Sequence, residues 1–148
     1  MNILLLCTGN ICRSPMAEGL FRRLLPMHEV FFAGISAQEG APADPIAVEL
    51  MWQLDVDISG HRARPLSRWM MREADLVLVM ERAQQRHVQA RYPSVASKVD
   101  MLTGTGGGDI PDPYLLGLTE FQRTLQLIRT AASARVVQLR PSSACALY

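Results

Sequence analysis

Ile3-Leu4-Leu5-Leu6-Cys7 is an unbroken apolar run, and Thr8-Gly9-Asn10 cuts it off. A short run without alternation, closed by turn residues, reads as a strand over residues 2–7 buried on both faces, as in parallel sheets. A helix is expected next. Ser14-Pro15 offers an N-cap and a proline for the first helical position, and Met16, Ala17, Leu20, Phe21, Leu24 and Leu25 recur at helical spacing until Pro26 stops them. Residues 30–32 then form a second strand, and Asp44-Pro45 caps a helix that turns Ala47, Leu50, Met51 and Leu54 inward. Residues 75–80, with Leu76-Val77-Leu78-Val79, make another buried strand. A helix over 82–91, a short strand over 98–102 and a loop rich in glycine (Gly104, Gly106, Gly107, Gly108) follow. The last helix opens on Thr119 and Gln122 as a capping box and runs Phe121, Leu125, Ile128 and Ala132 down one side.

Strands alternating with helices imply right-handed crossovers and an α/β fold with a small parallel sheet covered on both faces. In such sheets ligands bind beyond the carboxyl ends of the strands, and Cys7 stands at one of those ends. Residues 1–140 are expected to form one domain and 141–148 a flexible tail.

Charge and cysteine content narrow the function classes. Fifteen Lys plus Arg against 14 Asp plus Glu leave a net charge of +1, which gives no footprint for nucleic acid or an anionic membrane. The first apolar run lacks a basic leader and is shorter than a signal h-region, and no later run is long enough for membrane insertion. A cytoplasmic location follows as an expectation. Three cysteines, an odd number, do not suit a secreted disulfide framework, and no Cys/His pairs stand at zinc-site spacing, so no metal is expected.

The candidate chemistry lies in Cys7-Thr8-Gly9-Asn10-Ile11-Cys12-Arg13-Ser14. Between a buried strand and a helix start, the backbone N–H groups of such a turn can converge as an anion nest, for which phosphate is the natural occupant. The same donors, the helix dipole and Arg13 favour a thiolate at Cys7. Arg13 has the planar fork that grips two phosphate oxygens. Gly9 is expected to supply positive φ or room for close approach, Asn10 to brace the loop, and Ser14 to divide its hydroxyl between capping and the thiolate. A nucleotide P-loop is not matched, because the loop has no lysine. A thiolate that displaces phosphate needs an acid for the departing oxygen, and Asp112, between Pro111 and Pro113, is the best-restrained candidate. Taken alone, Cys7 fits a small buried residue at a strand end equally well, and Pro-Asp-Pro fits an ordinary turn.

Together, Cys7 to Pro15, Asp112-Pro113-Tyr114, Gly60-His61-Arg62-Ala63-Arg64 and residues 74–81 resemble the low-molecular-weight protein tyrosine phosphatase family. Gly60 to Arg64 and residues 74–81 resemble in particular its bacterial branch, associated with exopolysaccharide and capsule production. The resemblance implies a four-stranded parallel sheet in a three-layer α/β/α sandwich, with Cys7 as nucleophile, Arg13 as phosphate clamp and Asp112 as general acid then base. It implies no cofactor. The implied substrate is a phosphotyrosine protein, in particular a membrane tyrosine autokinase with a tyrosine-rich tail. Ile11, Ala37 and Tyr114 would rim the substrate pocket, and the second loop cysteine, Cys12, either traps oxidised Cys7 or simply packs. Phe32 stands where the family usually has a serine tying Asn10 to a histidine, here His61, so the bracing network is expected to be incomplete. Trp52 and Trp69 read as packing residues. Arsenate reduction coupled to thioredoxin needs further downstream cysteines, and none occurs between Cys12 and Cys145. A silent phosphotyrosine-binding module would be expected to lose Cys7, Arg13 or Asp112, and all three are present.

Overall fold

The computed structural model describes residues 1–139; the expected tail and Cys145 lie outside the described residues. Four parallel strands, β1 (Asn2–Cys7), β2 (Glu29–Gly34), β3 (Leu76–Val79) and β4 (Val99–Met101), lie in the order β2-β1-β3-β4. Their register sets Leu5 between Phe32 and Leu78 and brings Cys7 beside Gly34 at the carboxyl edge.

Because β1 and β3 are covered on both faces, the pleat sorts their uniform apolar runs between two cores. Ile3, Leu5 and Leu78 pack with Phe21, Met51, Phe121 and Ile128, from α1 (Arg13–Leu24), α2 (Pro45–Trp52) and α5 (Leu118–Leu139). Leu4, Leu6, Val77 and Val79 pack with Met70, Met71 and Val88, from α3 (Arg68–Glu73) and α4 (Arg82–Arg91). The three-layer sandwich is therefore as expected.

Several boundaries differ from the sequence reading. Ser14 does not cap α1: Cys12 occupies the cap position without a side-chain bond, and Ser14 lies inside the first turn. Asp44 does cap α2, accepting the Ile46 N–H at 2.9 Å. The last helix begins at Leu118, where the Phe121 N–H donates to the Gly117 carbonyl, so Thr119 is not its cap. A capping box exists instead at Glu81 and Gln84, opening α4. Neither α3 nor the 3₁₀ turn Pro93–Lys98 was expected. Trp52 is 61% exposed and packs in no core, whereas Trp69 stacks on Phe31 with centroids 6.4 Å apart.

Candidate active site

Strand β1 ends and α1 begins within six residues, so the loop between them closes on the helix N-terminus. The first-turn amides of α1 have no carbonyl partners within the helix, and the helix dipole adds positive potential at that end. Both suit an anion. Neighbouring segments fix the loop from outside: the Ile35 N–H bonds the Cys7 carbonyl and the Ser36 N–H the Thr8 carbonyl, each at 2.9 Å, and the Asp44 N–H bonds the Ile11 carbonyl at 2.8 Å. Gly34 is required for this approach. A Cβ there would stand 2.7 Å from the Ala37 Cβ and 2.8 Å from the Thr8 carbonyl oxygen.

Asn10 organises the interior of the loop. It is fully buried and takes the left-handed conformation, φ 58°, which sequence reading had offered to Gly9; asparagine tolerates that region better than most residues. Its backbone N–H points at the Cys7 Sγ (3.2 Å), its Nδ2 donates to the Ser14 Oγ (2.7 Å) and its Oδ1 accepts the Arg64 N–H (3.0 Å). His61 Nε2 donates to the Asn10 carbonyl at 2.6 Å, which fixes the proton on that nitrogen. Since the Ser14 Oγ already accepts from Asn10, its own hydrogen is free for the Cys7 Sγ, 3.0 Å away. The thiol thus faces two donors.

The expected gap in this network does not occur. The Phe32 ring leans on His61 with centroids 4.5 Å apart, and the Arg64 guanidinium lies 4.7 Å above Phe32 while its Nε donates to the Phe32 carbonyl at 2.9 Å. A serine bond is replaced by packing against the two residues that hold Asn10. Glu18 faces the other nitrogen of His61 at 3.7 Å.

Arg13 is 1% exposed. Its Nη1 pairs with Glu81 and donates to the Ile110 carbonyl at 2.8 Å, and its Nη2 faces the Asp112 carboxylate at 3.7 Å. The chain around Asp112 is anchored to the sheet, because the Ile110 N–H bonds the Met80 carbonyl and the Asp109 carboxylate accepts the Arg82 N–H, both at 2.8 Å. Asp112 itself accepts the Tyr114 N–H at 3.0 Å. Gln84 ties α4 to the loop by donating to the Thr8 hydroxyl at 3.0 Å while accepting the Met80 and Glu81 N–H groups.

A cleft of about 260 Å³ brings together Cys7, Thr8, Gly9, Ile11, Cys12, Arg13, Asp112 and Tyr114, with Ser36, Gln38 and Ala41 completing its wall. Ala37 is a correction to the expected rim. Its Cβ turns in over Gly34 instead of lining the cleft, and its neighbours Ser36 and Gln38 take the place assigned to it. Glu81 and Gln84 were missed by sequence reading, although the Glu-x-x-Gln spacing that opens α4 was a visible signal. Cys7 and Cys12 are both free thiols. Burial, with Asp44 and Asp112 adding to it, pushes the Cys12 thiol far above its ordinary range, so it stays protonated. Among the described residues no His/Cys/Asp/Glu cluster could hold a metal, and no helix is long and apolar enough to cross a membrane.

The family model for low molecular weight phosphotyrosine protein phosphatases matches residues 2–143. The chain belongs to that family. It is a low-molecular-weight protein-tyrosine-phosphatase, a phosphoric monoester hydrolase. Its relatives include a probable low molecular weight protein-tyrosine-phosphatase EpsP of Ralstonia nicotianae, 46% identical over 93% of this chain and 95% of that protein. Among solved structures, Vibrio vulnificus Wzb in complex with benzylphosphonate superimposes with a TM-score of 0.90 at 36% identity, covering 93% of this phosphatase and 98% of that chain. The YwlE arginine phosphatase from Geobacillus stearothermophilus is also similar, with a TM-score of 0.88 at 30% identity over 93% and 92% of the two chains.

Proposed function

We propose that this phosphatase hydrolyses phosphotyrosine in proteins through a cysteinyl-phosphate intermediate. The reading rests on one observation: Cys7, faced by the Asn10 N–H and the Ser14 hydroxyl, shares a single cleft with Arg13 and Asp112. In the first step the Cys7 thiolate forms a bond to phosphorus as the bond from phosphorus to the phenol oxygen breaks, and Asp112 in its acid form gives its proton to the departing oxygen. Arg13 exchanges part of its present pairing for two phosphoryl oxygens. In the second step the Asp112 carboxylate takes a proton from water, the water oxygen bonds phosphorus, and the thiolate leaves toward Ser14 and Asn10. No cofactor enters either step.

Ile11 and Tyr114 offer apolar surface that suits a flat aromatic ring. A phosphoguanidinium group would instead need acceptors, and Asp112 is the one carboxylate lining the cleft among the described residues. A membrane tyrosine autokinase that governs polysaccharide export, its tyrosine-rich tail dephosphorylated by this chain from the cytoplasm, is the partner that the family resemblance supports.

Turnover of aryl phosphates in the presence of a chelator tests the chemistry. Cys7→Ser and Arg13→Ala are expected to abolish it, and Asp112→Ala to lose rate mainly with poor leaving groups. A fully active Cys7→Ser sinks the mechanism. Faster release of phosphate from phosphoarginine than from phosphotyrosine peptides sinks the substrate assignment.

A further inference from the structure

Immediately beyond Tyr114 the chain exposes three leucines in four residues, Leu115 (82%), Leu116 (62%) and Leu118 (53%). No charged residue occurs between Asp112 and Glu120. Isolated exposed leucines are common, but three within four residues, directly following a residue that lines the cleft, suit contact with something outside the chain. The backbone adds a second observation. Residues 113–116 form a tight turn, closed by the Leu116 N–H on the Pro113 carbonyl at 2.9 Å, and Leu115 sits in it at φ 64°. That conformation favours glycine and disfavours a leucine side chain. Within this chain the Leu115 side chain recovers almost nothing by burial, so neither strain nor exposure has an internal explanation.

The occupant follows from continuity with the cleft. Tyr114 lines it, and the Tyr114 N–H is bonded to Asp112, so the ledge is part of the same turn that presents the carboxylate. A polypeptide that lowers a phosphotyrosine onto Cys7 must run its neighbouring residues past Tyr114. An extended chain advances about 3.5 Å per residue, so residues one or two positions from the phosphotyrosine pass Tyr114 at the stretch of chain that Leu115 and Leu116 continue. We infer that Leu115 and Leu116 form a specificity ledge that docks an apolar side chain flanking the phosphotyrosine of the substrate segment. The inference rests on the phosphotyrosine reading and names the sequence class that the cleft selects.

The test uses two phosphotyrosine peptides that differ only at the two positions on either side of the phosphotyrosine, leucine in one and serine in the other, with an aryl phosphate as control. Wild type is expected to prefer the leucine peptide by about tenfold in kcat/KM, the worth of one partly buried leucine. Leu115→Ser/Leu116→Ser is expected to lose that preference through a higher KM, with the serine peptide and the aryl phosphate turned over as before. Leu115→Gly supplies the fold control: glycine suits the left-handed position, so it should melt no lower than wild type and still lose most of the preference. Equal turnover of both peptides by wild type, or a preference that survives in the variants, overturns the ledge while leaving the phosphatase reading intact. A wild-type dimer that Leu115→Gly makes monomeric in sedimentation overturns it in favour of a second copy of the chain. Failure of wild type on all three substrates removes the phosphatase reading and the ledge with it.

Discussion

Replacing Ser14 by alanine separates the two jobs of one hydroxyl. Ser14 is fully buried; its Oγ accepts the Asn10 Nδ2 at 2.7 Å and lies 3.0 Å from the Cys7 Sγ. Without it, the Asn10 amide keeps a buried N–H with no acceptor, which costs about 1–3 kcal/mol. Equilibrium unfolding in urea should show a loss of that size at unchanged slope. The effect on catalysis is distinct. In the second step the thiolate leaves, and a hydrogen bond to a charged group is worth about 1.5–3 kcal/mol, so hydrolysis of the phosphoenzyme should slow roughly 10- to 150-fold. With a good leaving group the variant should then release a burst of phenol equal to the enzyme concentration before a slow steady state. Wild-type kcat in a folded Ser14→Ala protein would refute the assignment of the Ser14 hydrogen to the thiolate.

Three further perturbations probe separate parts of the account. Gly34→Ala forces a Cβ to 2.7 Å from the Ala37 Cβ and 2.8 Å from the Thr8 carbonyl oxygen, so thermal unfolding should report a loss of about 1–3 kcal/mol, and an unchanged melting temperature would contradict the close approach. Glu81→Ala strips the buried Arg13 of its paired carboxylate and should cost about 3 kcal/mol, part of it recovered by inorganic phosphate; a variant as stable as wild type would contradict the pairing. For Cys12 the folded state keeps a proton that the unfolded chain releases above about 9, the ordinary thiol value. Its contribution to stability is therefore intact below that pH and declines above it, by up to about 1.4 kcal/mol per pH unit, and Cys12→Ala should flatten this part of the pH profile of urea unfolding. An identical alkaline slope in both proteins would count against the buried thiol.

The order of strands and helices was legible because β1 and β3 are uniform apolar runs and because Asp44-Pro45 marks a helix start without ambiguity. Six-residue α3 escaped because it buries only Met70 and Met71, too few positions to establish a period. Ser14-Pro15 misled by looking like a cap. The hydroxyl that local pattern assigns to the helix is taken by Cys7 and Asn10, a choice made by the loop's closure and not by its sequence. Cys7, Arg13 and Asp112 were readable because chemistry restricts their types. The spacing of Glu81 and Gln84 signals a cap, but their roles at the loop were not readable, since they meet Arg13 and Thr8 across 68 and 76 residues and only the sheet order β1-β3 joins them. The bracing by Phe32 and Arg64 was hidden for a related reason: loss of a serine was visible in the sequence, whereas packing that substitutes for its bond appears only once β2 and residues 61–64 are in contact.

The most direct test of the account is whether phosphate passes through the sulfur of Cys7. Asp112→Ala enzyme, mixed with an aryl phosphate of good leaving group and quenched in acid within the burst, should carry one phosphoryl group, located by peptide mass spectrometry on Cys7 and absent from a Cys7→Ala control. A quenched enzyme with no covalent phosphate during active turnover, or with phosphate on any other residue, would contradict the cysteinyl-phosphate mechanism.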